Sequence, residues 1–200
     1  MRDALLAAVI GYLLGSIPFA YLAGRLKGVD LRKVGSGNTG GTNAIRVLGA
    51  RYGVPVILLD IGKGAAAVLI AGQFGGATAQ VLAAFGAVIG HAFPIFLRFQ
   101  GGKAVAVGAG AMLALTPGIG LLVTLVWFVV AGLTRYASLG SLATAVAYPT
   151  LAFAFDQPWP VRIFALAGGL FVIWRHRSNI ARLRAGTENR INLRRSAKPA

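Results

Sequence analysis

Seven apolar runs, separated by short segments rich in glycine, arginine and lysine, leave this chain few ways to fold. A helix satisfies its own backbone hydrogen bonds in lipid, so residues 4–22, 54–72, 79–97, 104–116, 119–133, 138–155 and 161–174 predict seven transmembrane helices. Only 12% of the 200 residues are charged, far below what the surface of a soluble domain requires. The first run lacks a small-x-small cleavage pattern and is followed by many more, so it reads as a span and not a signal peptide. Pro18 is expected to kink its end. The 104–116 run is short: about 20 Å as a helix, against a hydrocarbon core of ~30 Å. The fold class is thus an all-α polytopic membrane protein, with residues 1–200 as one integral-membrane domain.

The net charge of +15 gives the orientation. Arg2 and Arg162 fall outside and Lys63 lies within a span, while every other basic residue falls in alternate loops or in the tail. By the positive-inside rule the N-terminus is outside, the C-terminus is cytoplasmic, and residues 175–200 form a basic cytoplasmic tail. In that tail Ile180 and Leu183 share a face suited to anionic membrane lipid. No basic face carries interleaved stacking aromatics, so nucleic acid is not an expected partner. No cysteine is present, which removes disulfides, thiol nucleophiles and cysteine metal sites. The absence of a visible internal repeat argues against an inverted-repeat transporter.

The loop at 25–53 carries the densest chemistry. Gly35-Ser36-Gly37-Asn38-Thr39-Gly40-Gly41-Thr42-Asn43, with Arg46 following, combines a permissive backbone with side-chain donors and a cationic fork, which is the chemistry of a phosphate cradle. It satisfies G-x-G-x-x-G without the strand–turn–helix context of a dinucleotide site, and Gly41 stands where a P-loop needs its lysine. Asp60 and Lys63, three apart in an apolar run, share a helix face and neutralise each other. The second inner loop ends Gly101-Gly102-Lys103, and Ser138, Ser141, Arg175, His176 and Asn179 gather on the same side. Carboxylates are nearly absent from this set, which excludes paired-acid hydrolysis and carboxylate-rich metal sites; neither a metal nor a cofactor is expected.

These motifs resemble a known family. Residues 36–43 with Arg46 and Gly49, then His91 and Pro94 before Gly101-Gly102-Lys103, then Arg175-His176 with Asn179, Arg182, Gly186 and Glu188, look like the three signatures of the bacterial acyl-phosphate-dependent glycerol-3-phosphate acyltransferases. Asp60, Lys63-Gly64 and the Arg135–Ser141 turn fit as well, so the resemblance covers nearly the whole chain. It departs at Ala104 and Val107, where the family usually continues Gly-Val-Ala-Thr after the lysine.

The resemblance implies transfer of a fatty acyl group from acyl phosphate to the 1-hydroxyl of glycerol 3-phosphate, giving lysophosphatidic acid and phosphate. That is a step of phospholipid synthesis in the bacterial inner membrane, and a soluble enzyme that makes acyl phosphate is an expected partner. It implies catalytic roles for Arg46, Lys103, Ser141, His176 and Asn179, and substrate binding by Ser36, Gly37, Asn38, Gly40, Asn43, Gly101, Gly102, Ser138 and Arg175. The alternative is a carrier for a phosphate-like anion, disfavoured because the outer half has no polar set to match. A structural scaffold explains the topology but not the clustered Asn, Ser and His. Neither histidine has an aspartate five residues on, and no Gly-x-Ser-x-Gly elbow occurs, so direct attack without an acyl-enzyme is expected. Two routes for the proton stay open, a substrate phosphate oxygen or His176 itself.

Overall fold

A computed structural model describes residues 2–191; Arg194, Arg195 and Lys198 of the expected tail lie outside the described residues. The elements are α1 (Arg2–Ser16), α2 (Phe19–Leu26), α3 (Gly41–Leu48), α4 (Ala50–Gly72), α5 (Ala77–Ala92), a 3-10 turn (Ile95–Leu97), α6 (Val105–Leu115), α7 (Pro117–Thr134), α8 (Ala137–Ala154), α9 (Trp159–Arg175) and α10 (Arg177–Arg184). Five segments have the length and apolarity to cross a membrane: Arg2–Leu26, Ala50–Gly72, Ala77–Leu97, Pro117–Thr134 and Ala137–Ala154. The helices α6 and α9 are shorter, at 11 and 17 residues.

Three expectations change in the structure. The first span is two helices, because Pro18 has no amide to continue α1 and the chain restarts at Phe19. The 25–53 segment is not all loop: α3 occupies much of its second half. The second span begins at Ala50, since Gly49 at φ 84° turns the chain directly from α3 into α4 and Pro55 is tolerated near the helix start.

Small residues face inward and large apolar ones face outward, the arrangement suited to lipid, where close backbone approach and not exclusion of water holds helices together. Leu58, Leu121, Leu125, Phe128, Leu133 and Leu170 are exposed, whereas the core that α1, α4 and α5 share is largely alanine. A methyl group on Gly11 or Gly15 of α1 would collide with the α5 backbone at Ala83 or Ala87, and one on Gly86 or Gly90 would collide with α1 in return. The pair α4 and α6 is equally close at Gly64 and Gly110. Phe85 meets Phe164 edge-on at 5.0 Å, tying α9 to α5.

One polar cluster sits within this apolar bundle. Lys63 Nζ lies 2.8 Å from Asp60 Oδ1, with both side chains buried, and donates to the carbonyl of Ile17 at 2.7 Å. That carbonyl sits at the break between α1 and α2, where it also accepts the Phe19 amide at 3.2 Å, so Lys63 reinforces the turn at which the chain changes direction. His91 Nδ1 stands 3.7 Å from the same Asp60 oxygen, joining α5 to the cluster.

Removing one member strands the other charge in an apolar surround. Asp60→Asn or Lys63→Met alone is therefore expected to lower unfolding stability in detergent by about 3–5 kcal/mol, with the double replacement costing less than either single. Thermal melts of the purified variants measure it, and a double variant less stable than both singles would refute the pairing.

Candidate active site

Asn43 organises the glycine loop. Its Nδ2 donates to the carbonyls of Leu31 and Val34, each at 3.1 Å, and its Oδ1 accepts the Ser36 amide at 2.9 Å. Gly35, at φ 64°, is the only kind of residue that fits there, since a methyl group would run into Asn43 Oδ1. Asn43 is buried and fully committed, so the expected substrate donor is instead the clamp of the loop. The Gly37 amide donates to Val34 and is likewise closed off. What remains open among the described residues is the Ser36 hydroxyl, the Asn38 amide and the Gly41 and Thr42 N–H groups that open α3 at its Gly40 cap.

The second loop is shaped, not open. Gly101 N–H donates to Ala92 O at 3.2 Å and Gly102 N–H to His91 O at 3.1 Å, so neither glycine offers an amide to substrate as expected. Their carbonyls accept Arg175 Nη2, at 3.1 Å and 2.7 Å. Arg175 is therefore occupied with the loop, its guanidinium 5.4 Å from the Phe93 ring centre and 5.7 Å from that of Trp174. Ala104 follows at φ 60°, the left-handed region that costs a residue with a Cβ about 1–2 kcal/mol. A glycine is the low-cost residue there, so the alanine of this chain carries a strain that the family's usual glycine avoids.

Lys103, carried by this loop, donates through Nζ to Asn179 Oδ1. Asn179 Nδ2 in turn donates to Glu188 Oε1 at 2.6 Å, and that carboxylate also accepts Ser138 Oγ at 2.9 Å and Arg182 Nε at 2.7 Å. Ser138 bonds Glu188 here. The Ser141 hydroxyl donates to Ala137 O at 2.9 Å and accepts Trp127 Nε1 at 3.3 Å, which joins α8 to α7. The chain after α10 is fastened across the α7–α8 turn, with Ile191 N–H on Arg135 O and Arg190 Nε on Tyr136 OH.

Electrostatics set the protonation states. Burial pushes the Lys103 ammonium down to about 8; the positive charges of Arg182, Arg175 and Arg46 act the same way and Glu188 opposes them. Burial, then the charge of Lys103, takes His176 down to about 4. Burial pushes the Glu188 carboxyl up, but hydrogen bonds from Asn179, Arg182 and Ser138 together hold it below its ordinary range. Burial also lowers Arg46, with Glu188 opposing, and its Nη1 reaches Asn43 Oδ1 at 3.4 Å. His176 Nδ1 lies 2.8 Å from the Val172 carbonyl, so in the neutral ring that nitrogen carries the proton and Nε2 carries the lone pair.

Arg46, Lys103, His176 and Asn179 therefore come together, with Ser36 and Asn38 on the loop that leads into the Arg46 helix. Sequence reasoning left Arg182 and Glu188 out of the site, although an acidic side chain in so basic a tail is itself a signal of pairing. Among the described residues no group of three His, Cys, Asp or Glu side chains is placed to hold a metal ion.

A family model described as glycerol-3-phosphate acyltransferase matches residues 5–186. A glycerol-3-phosphate acyltransferase of Synechococcus sp. (strain JA-3-3Ab) is 49% identical, covering 98% of each chain. One from Rhodopseudomonas palustris (strain BisB5) is 47% identical over 92% of this chain and 94% of its own. The crystal structure of PlsY, an integral membrane glycerol 3-phosphate acyltransferase, in its glycerol 3-phosphate form superposes with a TM-score of 0.91 at 41% identity, covering 94% of this chain and 96% of that one. Its lysophosphatidic acid form gives 0.88 at 39%, over 95% and 96%. With matches of this extent in sequence and in three dimensions, the chain belongs to the glycerol-3-phosphate acyltransferase family.

Proposed function

We propose that this protein acylates the 1-hydroxyl of glycerol 3-phosphate to give lysophosphatidic acid, taking the acyl group from acyl phosphate and releasing phosphate. Membership of the family and its likeness to structures in glycerol 3-phosphate and lysophosphatidic acid forms support the acceptor and the product. The observation that carries the reading is the gathering of Arg46, Arg175 and Arg182 around Lys103 with Glu188 as the opposing carboxylate, which leaves positive charge in excess beside apolar helices. Two phosphate-bearing substrates, one with an acyl chain, match that excess.

In this reading α6 and α9 complete seven crossings of the bacterial inner membrane, with the N-terminus outside, the C-terminus cytoplasmic and the chain acting as one domain. Lipid surrounds the apolar outer face, and the basic cytoplasmic side receives acyl phosphate from the soluble enzyme that makes it.

Ser36, Asn38, the opening amides of α3 and Arg46 bind one phosphate, and Lys103 shares the negative charge that develops as the acyl phosphate is attacked. The acceptor oxygen attacks the acyl carbon, the bond from that carbon to the phosphate oxygen breaks, and the hydroxyl proton ends on phosphate. A phosphate monoester has its second pKa at about 6. His176, pushed down to about 4, is the weaker base, so its Nε2 lone pair orients the hydroxyl while phosphate takes the proton. Glu188 is saturated by three donors and holds Asn179 in place.

The direct test is incubation of purified protein with palmitoyl phosphate and glycerol 3-phosphate, with lysophosphatidic acid read by mass spectrometry. Flux of phosphate across liposomes without acyl transfer would overturn the reading in favour of a carrier. Arg46→Ala and Lys103→Ala are each expected to lower kcat/KM by about 100-fold or more while the protein remains folded. The ammonium is the working form of Lys103, so kcat/KM is retained below pH about 8 and falls as pH rises through that value. Lys103→Arg removes this alkaline limb; a limb that persists belongs to another group. His176→Asn is expected to recover much of the rate that His176→Ala loses, measured as single-turnover acyl transfer. Equal loss in both, with a wild-type ionisation near neutral pH, would make His176 the base.

A further inference from the structure

The loop that presents Lys103 is held in a conformation its own residues do not favour. Of the non-glycine residues with positive φ among those described, Arg98 at 52°, Phe99 at 62° and Ala104 at 60° all fall between α5 and α6. Side chains with a Cβ visit this region rarely, so such a loop persists only when its surroundings over-determine it. Two sets of contacts do so here. From beneath, His91 O and Ala92 O take the amides of Gly102 and Gly101, and the His91 ring lies so close under Gly102 that a methyl group there would collide with Nε2. From the side, Arg175 Nη2 holds both glycine carbonyls.

Arg175 has the features of a clamp. Aromatic rings flank its guanidinium on Phe93 and Trp174, and the carbonyls it grips immediately precede Lys103. Its Nε is buried without a hydrogen-bond partner, so Nη2 carries the hydrogen bonds that the guanidinium makes.

We propose that Arg175 is a positioning residue which holds the strained 98–104 loop so that Lys103 reaches Asn179 and the substrate phosphate, and that it is not itself a substrate ligand. The inference deepens the acyltransfer reading and rests on it for its kinetic readout. Its mechanism is a shift of population: without the clamp, the left-handed conformation at Ala104 makes the productive loop a minority state. Glycine at 104 removes that penalty, so it restores the productive loop when the clamp is gone and changes little when the clamp is present.

The experiment is a double-mutant cycle between Arg175 and Ala104, with palmitoyl phosphate and glycerol 3-phosphate as substrates. Ala104→Gly alone is expected to leave kcat/KM within about twofold, Arg175→Ala to lower it by about 100-fold, and the double variant to recover about tenfold of that loss. Arg175→Met keeps the apolar stem but has no donor for the two carbonyls, so it is expected to behave like Arg175→Ala and to be rescued by Ala104→Gly in the same way. If Arg175 binds substrate, the two effects are additive and glycine rescues neither variant; that result overturns the proposal.

Hydrogen exchange at the Gly101 and Gly102 amides gives a second readout that needs no turnover. Exchange rises in Arg175→Met and falls back when Ala104→Gly is added. Unchanged exchange refutes the clamp even if the acyltransfer reading fails, whereas a turning-over wild type with no rescue refutes the clamp alone.

Discussion

A charge inside a membrane bundle is tolerated only where every member of its group is paired, and the Asp60–Lys63 pair meets that condition by joining four parts of the fold. Lys63 pairs with Asp60 and adds a second donor to the Ile17 carbonyl, which ties the break at Pro18 to α4. Asp60 also faces His91, on which the Gly101-Gly102 turn is built. The glycine-lined contacts of α1 with α5 and of α4 with α6 bring the helices close enough for these side chains to meet. The ion pair therefore underlies the site without belonging to it.

Charge imbalance gives the site its character. Glu188 is the carboxylate of the cluster, and Ser138, Asn179 and Arg182 already occupy it. Lys103 and Arg46 sit near it with only partial compensation, in positions where burial makes their charge costly. A phosphate relieves that cost on arrival, so binding substrate and relieving the protein's own electrostatic strain are the same event. The many donors already used within the protein, among them Asn43, Gly37, Gly101 and Gly102, keep the remaining ones aimed.

The membrane fold was legible because apolar run length and one-sided basic charge are local properties of the chain. The break at Pro18 was read as a kink because the sequence does not reveal that Lys63 lies opposite and bonds the Ile17 carbonyl there. The helix α3 was hidden by the glycines that precede it, and Gly49 passed unnoticed as the hinge that starts α4 early. Within the site, residue types pointed to phosphate chemistry, but not to which donors stay open. Ser138, Ser141 and Asn43 all carry suitable groups, and only tertiary contacts commit them to Glu188, Trp127 and the loop carbonyls. Ala104 marked a departure from the family pattern, and its φ of 60° supplies the physical meaning.

The shortness of α6 has a consequence for how the two reactants meet. Eleven residues rise about 17 Å, little more than half of a ~30 Å hydrocarbon core. With its Thr116 end at the outer side in the proposed topology, its other end, and Lys103 just before it, lies below the level of the inner headgroups. Drawing an acyl chain out into water costs about 0.8 kcal/mol for each methylene exposed. A site set at depth avoids that cost, because the chain stays in the leaflet and the small, water-soluble partner makes the journey. In the proposed topology the length of one helix thus sets which reactant travels, and the lipid product departs sideways, within the layer where it is used.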